Sequence, residues 1–214
     1  MKALLLIALI NPITLWAQFN FEPDSIVQTR NIHLGIPDPD SVKFEFRLWN
    51  SSTHFGLLTQ LTLNTEDEWS YNTGIENHNA GIHYFENSRN INISELWKKL
   101  DSLNVRTLPS QENAKISIQK EDQIHYLTQE QFEKILGPGG SAFEVELFRG
   151  NDYRTYYYLD PIKLSDNFKN SKEKWNANEH HNMAEIVRTI NETFELMRNF
   201  QEYLKNYGKE DNRR

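Results

Sequence analysis

The chain has 214 residues, of which 25% are charged and 12% aromatic, with a formal net charge of −7 and no cysteine. That length suits one domain better than two, and the aromatic content is too high for a disordered chain. Disulfides, a thiolate metal site and a cysteine nucleophile are excluded. The acidic balance argues against a nucleic-acid partner, because phosphate binding needs clustered Lys and Arg.

Residues 1–17 have the layout of a secretory signal peptide. Lys2 gives a basic start, residues 3–10 form an apolar run, and cleavage is expected between Ala17 and Gln18. The run is too short for the ~20 residues of a membrane-spanning helix, so we expect no membrane span in the mature chain. A lipid-anchored lipoprotein needs a cysteine after the apolar run for acylation, and none is present. We therefore predict a secreted or periplasmic protein. A chain without disulfides favours a bacterial envelope or exterior.

Residues 18–41 are polar and contain three prolines, Pro23, Pro37 and Pro39. This composition predicts an extended lead-in rather than a packed element. A single domain is predicted over residues 42–207. Residues 208–214 are predicted to be a disordered tail that follows a helix end at Gly208.

The first part of the domain is predicted to form four strands, over residues 42–49, 56–64, 68–73 and 81–86. In the first of them, Phe44, Phe46 and Leu48 alternate with charged residues, as in a half-buried strand. The links between the four segments are short, which predicts an antiparallel meander.

The pattern then changes to mixed helices and strands. Ser94 is a candidate N-cap of a helix that ends before Pro109. Residues 115–120 alternate as a strand, and a capping box from Thr128 to Gln131 opens a short helix.

The last part combines a hairpin with a long helix. Residues 142–148 and 153–159 predict the hairpin, and residues 162–177 predict a polar connection. Residues 179–207 carry apolar residues every three or four positions, which predicts an amphipathic helix that crosses the sheet, breaks near Asn191 or projects toward a partner. The elements together predict an α+β fold, in which a mainly antiparallel sheet of about six strands packs against helices.

No metal or cofactor pattern is present. His78 and His83 lie near Glu76 and Glu86 in the sequence. Zinc needs three or four ligands, and reliable patterns place two of them on one rigid helical face, which this spacing does not do. The glycines within residues 137–141 close a helix rather than open one, so they indicate a helix stop and not a phosphate loop. We therefore predict no metal and no cofactor.

Acidic and Ser/His residues leave a hydrolase open. Glu144 and Glu146 share one face of a predicted strand, where they form either a glycosidase-like pair or the polar outer face of the hairpin. The Gly-x-Ser-x-Gly motif is absent, but members of a triad need not be close in sequence.

The most unusual local feature is an aromatic run at residues 153–158. On a strand, Tyr153 and Tyr157 share one face, whereas Arg154, Tyr156 and Tyr158 share the other. One face should belong to the core, and the other is a candidate contact surface for a sugar, a peptide or a partner protein. The alternative is that both faces pack within the sheet. The predicted ligand or partner surface comprises Tyr153, Arg154, Tyr156, Tyr157 and Tyr158.

The layout resembles a loose group of small, uncharacterised secreted proteins of Bacteroidetes-type bacteria. The resembling features are the Trp16-Ala17-Gln18 signal end, the helix and exit at residues 96–109, and the run from residues 141–147 into residues 153–161. The resemblance covers about residues 42–204. It implies an exported protein with one α+β domain, and no catalytic or binding residue is carried over from it.

These observations favour a non-enzymatic binding or interaction protein, with a protein, peptide or glycan as its partner, because no catalytic motif stands out. A secreted hydrolase with scattered acidic or Ser/His residues and a structural component of the cell envelope are the two alternatives.

Overall fold

The structure is a computed structural model that describes residues 42–211, apart from residues 52–54, 78–80, 86–89, 138–139 and 151. The predicted signal peptide, the lead-in at residues 18–41, and His78 and Glu86 lie outside the described residues.

Six strands form one antiparallel main sheet in the order β4-β3-β2-β1-β7-β8. Their bounds are β1 Phe44–Ser51, β2 Phe55–Leu63, β3 Trp69–Asn77, β4 Gly81–Tyr84, β7 Ala142–Arg149 and β8 Asp152–Leu159. The first four strands are neighbours in chain order, which confirms the predicted meander. The hairpin β7–β8 then pairs with β1, so that β1 lies inside the sheet and β8 forms one edge.

Among the described residues, a smaller sheet and five helices accompany the main sheet. The small sheet has the order β6-β5-β9, with β5 Ser117–Lys120, β6 Gln123–Tyr126 and β9 Trp175–Asn176. The helices are α1 Ile93–Ser102, α2 Gln129–Leu136, α3 Pro161–Lys169, α4 Asn178–Phe194 and α5 Leu196–Asp211, and a 3-10 turn spans Gln111–Asn113. The predicted α+β class is confirmed. No helix among the described residues has the length and apolar character to cross a bilayer.

The main core lies between the sheet and helices α1, α4 and α5. We call the sheet surface on this side the near face, and it carries Phe46, Leu48, Leu61, Ile75, Val145, Leu147, Tyr156 and Tyr158. These side chains alternate along the strands with those of the opposite surface. We call that surface the far face, and it carries Glu45, Arg47, Trp49, Leu58, Gln60, Glu146, Phe148 and Tyr153.

Two predicted segments differ from the structure. Residues 162–177 are not a bare connection, because they contain most of α3 and all of β9. Proline is favoured in the first turn of a helix, and Pro161 starts α3 immediately after β8. The C-terminal helix breaks at Glu195, where φ is 48°, rather than near Asn191. Its second part, α5, continues past Gly208 to Asp211.

Helix starts follow local hydrogen bonding. The N-cap of α1 is Asn92 and not Ser94, since the Asn92 side chain accepts from the backbone N–H of Glu95 at 3.2 Å. The predicted capping box at α2 is confirmed. The backbone N–H of Gln131 donates to Thr128 Oγ1 at 3.3 Å, and the backbone N–H of Thr128 donates to Gln131 Oε1 at 3.0 Å.

Candidate functional site

A cleft opens beside edge strand β8, where the 3-10 turn, β5 and α2 meet the main sheet. Its volume is about 300 Å³, at the lower end of the range for small-molecule sites. Apolar side chains line part of it, namely Ala114, Ile116, Leu127 and Phe132. Polar side chains line the rest, namely Ser110, Gln111, Glu112, Thr128 and Tyr157.

Three side chains at every second position of β8, and therefore on one face of the strand, attach one wall of the cleft to it. The Tyr156 hydroxyl donates to the carbonyl oxygen of Val105 at 2.7 Å, and the Tyr158 hydroxyl donates to that of Pro109 at 2.8 Å. The Arg154 guanidinium donates to the carbonyl oxygens of Arg106 and Leu108, which lie between Val105 and Pro109 in the sequence. These bonds hold the segment that leads into Ser110 and the 3-10 turn against the sheet edge.

Burial sets the charge state of these clamping groups. It raises the pKa of the Tyr156 and Tyr158 hydroxyls well above the ordinary value, so both remain neutral donors. Burial also lowers the pKa of Arg154, and the two tyrosines oppose that effect. Arg154 is further held over the Tyr156 ring, with 5.3 Å between the guanidinium carbon and the ring centroid.

The 3-10 turn is fixed to the end of β8 by a further bond. The backbone N–H of Leu159 donates to Gln111 Oε1 at 2.6 Å. The amide oxygen of Gln111 accepts this bond. Gln111 therefore mainly positions its two sequence neighbours, Ser110 and Glu112, in the cleft. Thr128 is positioned on the other side by the capping box of α2.

Tyr157 is the predicted contact residue that lines the cleft. It is 43% exposed, whereas Tyr153, Tyr156 and Tyr158 are each at most 4% exposed. Tyr157 faces Glu144 across the β7–β8 pair, and burial together with the Glu144 charge raises the pKa of its hydroxyl. The phenol is therefore a neutral hydrogen-bond donor at neutral pH, beside an aromatic ring face open to solvent.

The other predicted contact residues serve the fold. Arg154, Tyr156 and Tyr158 hold the cleft wall from behind, and Tyr153 packs on the Phe148 ring on the far face at a centroid distance of 4.9 Å. The other eight lining residues, among them Ser110, Glu112, Thr128 and Phe132, were not predicted as contact residues. Their only local signal was the capping box that starts at Thr128.

The two carboxylates considered as a glycosidase pair have different environments. Glu146 is fully buried on the far face, where Trp49 Nε1 donates to its Oε2 at 3.0 Å and an Arg47 guanidinium nitrogen lies 3.5 Å from the same oxygen. Glu144 is partly exposed beside Tyr157. A substrate that reaches Glu144 does not reach Glu146, so the geometry does not support this pair as an acid and base.

A serine–histidine pair links α3 to α4. Ser165 Oγ lies 2.8 Å from His181 Nδ1, which is hydrogen-bond distance. Ser165 is fully buried, and a nucleophile must reach a substrate carbonyl. The bond therefore joins the two helices and does not form an open catalytic dyad.

His180 lies between the cleft and the core. It is fully buried, and the rings of Tyr158, Phe132 and Phe168 surround it at centroid distances of 5.3, 5.8 and 6.4 Å. Burial, with a smaller contribution from His181, lowers the pKa of His180 to about 4. Neither ring nitrogen has a hydrogen-bond partner among the described residues. His180 is thus a neutral side chain behind Phe132, which lines the cleft.

No group of three or more His, Asp or Glu side chains with metal-binding geometry occurs within the described ranges. His83, from the histidine pair considered above, packs instead on the Tyr203 ring of α5 at a centroid distance of 5.3 Å. Its sequence neighbours His78 and Glu86 are outside those ranges.

Comparison with protein-family models, with curated proteins and with solved structures finds no match to this chain. The resemblance to small secreted bacterial proteins therefore stays a prediction.

Proposed function

We propose that the chain is a non-enzymatic binding protein, exported to the periplasm or the cell exterior, that holds a neutral, hydroxyl-rich ligand such as a sugar ring in the cleft beside Tyr157. The observation that carries the proposal is the combination of an exposed Tyr157 ring with an apolar floor and a polar rim. Export rests on the signal-peptide pattern of residues 1–17.

The chemistry of the lining favours a sugar ring over an anionic group. Glu112 is the one charged side chain among the described lining residues, and Glu144 lies near Tyr157. Two carboxylates repel phosphate and carboxylate ligands, whereas they accept hydrogen bonds from hydroxyl groups. A sugar ring also has an apolar face that an aromatic side chain such as Tyr157 or Phe132 can cover.

The cleft wall is held in place by the fold itself. Arg154, Tyr156 and Tyr158 fix it through hydrogen bonds that span about fifty residues of sequence. A preformed site loses less conformational entropy when it binds, which supports binding by a small ligand. The cleft offers positioned donors and acceptors, whereas the serine of the Ser165–His181 pair is buried, so we prefer the binding function over the hydrolase.

A pair of matched tyrosines provides the test. Tyr157 and Tyr84 lie on opposite edge strands of the same sheet and are 43% and 39% exposed. The chain that begins at Gln18 should be screened on an array of neutral and acidic glycans, and each hit measured by calorimetry. We expect neutral glycans to bind, Tyr157→Ala to weaken binding tenfold or more, and Tyr84→Ala to leave it unchanged.

Three results would overturn the proposal. They are preferential binding of acidic glycans, equal loss of affinity in the Tyr84→Ala and Tyr157→Ala variants, and the absence of any glycan hit. Release of shortened sugars during incubation would instead support the hydrolase, and Glu112→Gln would then show whether the cleft performs the reaction.

A further inference from the structure

The central part of the far face, on β1, β2 and β7, is buried, although no described helix packs on it, whereas Tyr84 and Tyr157 on the two edge strands of this face are 39% and 43% exposed. Leu58 and Arg47 are 0% exposed there, as buried as any side chain of the near face. Helices α1, α4 and α5 pack on the near face. Among the described residues, the apolar cluster around Leu58 consists of Trp49 and Ile82, both from strands of the same sheet.

A sheet does not bury its own surface. Side chains stand roughly perpendicular to a sheet, and an uncovered face is solvated. The burial of Leu58 and Phe148 therefore requires a layer of chain above the far face. The small sheet, α2 and α3 do not supply it, because they form a separate core around Phe132, Leu164 and Phe168.

Length decides which part of the chain supplies this layer. Within residues 42–214 the undescribed stretches have at most four residues each, whereas residues 18–41 number 24. An extended chain of that length reaches roughly 80 Å, and six strands at their usual spacing span only about 24 Å. The stretch ends next to β1, which lies inside the sheet, so it reaches the far face directly.

One segment within residues 18–41 matches the apolar part of the surface that it would cover. Ile32, Leu34 and Ile36 alternate, as in a strand with one apolar side. Arg30 is the single Lys or Arg of the stretch. The stretch also carries four carboxylates, Glu22, Asp24, Asp38 and Asp40, and the far face already carries Glu45, Glu76, Glu144 and Glu146 around the guanidinium of Arg47. The apolar alternation, and not the net charge, therefore supports the match.

We propose that residues 18–41 are the covering layer of the far face, with Ile32, Leu34 and Ile36 packed toward Leu58 and Phe148. The stretch is then part of the domain and not the extended lead-in that its prolines and polarity predicted. The proposal does not depend on which ligand the cleft binds.

The absence of cysteine makes a thiol test direct, because one introduced cysteine is the only thiol. Leu58 and Leu61 lie on the same strand and are both 0% exposed, but they belong to opposite faces. In the chain that begins at Gln18, we expect Leu58→Cys and Leu61→Cys both to resist alkylation. Adding Ile32→Ser, Leu34→Ser and Ile36→Ser should speed alkylation at position 58 tenfold or more and leave position 61 protected. Gln28→Ser, Thr29→Ser and Asn31→Ser serve as the matched control and should change neither rate.

Rapid alkylation of Leu58→Cys in the otherwise unaltered chain would overturn the proposal, as would protection that survives the three apolar substitutions. Protection of position 58 that depends on protein concentration would overturn it in favour of a second copy of the chain.

A second measurement covers the case in which the substituted chain unfolds and both thiols react. A photo-crosslinking benzoylphenylalanine at position 34 of the unaltered chain should attach within the same molecule to β1, β2 or β7. Attachment to α1, α4 or α5, or to another molecule, would overturn the proposal.

Discussion

Phe46 and Arg47 are neighbours on β1, and both are fully buried, on opposite faces of the sheet. On the near face, Phe46 meets apolar side chains of α1 and of adjacent strands. On the far face, the Arg47 guanidinium contacts the Glu45 carboxylate, approaches that of Glu146 and covers the Phe148 ring at 4.4 Å. One strand thus supports two buried layers of opposite chemistry.

The difference shows that alternation of apolar and charged residues does not by itself mean alternation of core and solvent. The charged side of β1 is expected to face water, yet Glu45 and Arg47 are no more exposed than Leu48. Burial of charges is tolerated when each has a partner. Thr62 Oγ1 adds a hydrogen bond to Glu45 Oε2 at 3.5 Å, while burial still raises the pKa of Glu45 despite Arg47.

The strongest way to break the far face is to remove its cation. Arg47→Met should lower the free energy of unfolding by about 3–5 kcal/mol, because it removes the cation that lies against two buried carboxylates, those of Glu45 and Glu146. Lys43→Met, which breaks the exposed Lys43–Asp67 pair, should cost about 0–1 kcal/mol. Chemical denaturation of both variants measures the contrast. Similar losses in the two variants would mean that the far face is solvated.

His180, which packs on Tyr158 of the near face, is also a buried titratable group. Its contribution to the free energy of unfolding depends on pH in a predictable direction. The pKa of His180 is about 4 in the folded chain against an ordinary value of 6.5, so the unfolded chain binds a proton first as the pH falls. The His180 contribution to stability is complete above pH 6.5. It declines by up to about 3 kcal/mol as the pH falls toward 4.

His180→Phe should flatten that part of the pH dependence, since phenylalanine suits a pocket of three aromatic rings. Denaturation midpoints between pH 4 and pH 7 for the two chains provide the measurement. An unchanged slope in the variant would show that other groups set the acid response.

Tyr156 and Tyr157 are consecutive residues on β8, and substitutions at these two positions extend the comparison of the two faces to the cleft. Tyr156→Phe keeps the ring on the near face but removes the donor to the Val105 carbonyl, which should cost about 1–3 kcal/mol. Because the cleft wall loses a tether, ligand affinity should also fall. Thermal denaturation and calorimetry on one preparation test both effects, and a variant as stable as the parent would show that the hydroxyl bond is dispensable.

Tyr157→Ala should change stability least, by a few tenths of a kcal/mol, since its ring is half exposed. It should nonetheless remove most ligand affinity. A large loss of stability would instead assign Tyr157 to the fold, in the same way as Tyr156.

Much of the fold could be predicted from the sequence because its signals are local. The alternation at Phe44, Phe46 and Leu48, the capping box at Thr128 and the stripe of the C-terminal helix each depend on residues close in the chain. The start of α3 at Pro161 was missed because a proline that follows a strand also fits a chain stop. The break at Glu195 was missed because a left-handed residue is usually glycine or asparagine.

The cleft could be predicted only in part. Alternation placed Tyr157 opposite Tyr156 and Tyr158, but which side faces solvent depends on what packs there. Ser110 and Glu112 reach Tyr157 through the bond between Leu159 and Gln111, which are 48 residues apart. No local sequence pattern encodes such a contact. The burial of the far face likewise depends on residues that are distant in the sequence.

The central claim is that the part of the far face on β1, β2 and β7 is closed to solvent, and Trp49 reports on it most directly. Of the four tryptophans after residue 17, Trp49 is buried at 1% exposure, whereas Trp69, Trp97 and Trp175 are partly exposed. Incorporation of 5-fluorotryptophan gives four fluorine resonances, and Trp49→Phe identifies the one that belongs to the far face. Our account predicts that this resonance shifts least when H2O is replaced by D2O. A shift for Trp49 as large as those of the partly exposed tryptophans would contradict it.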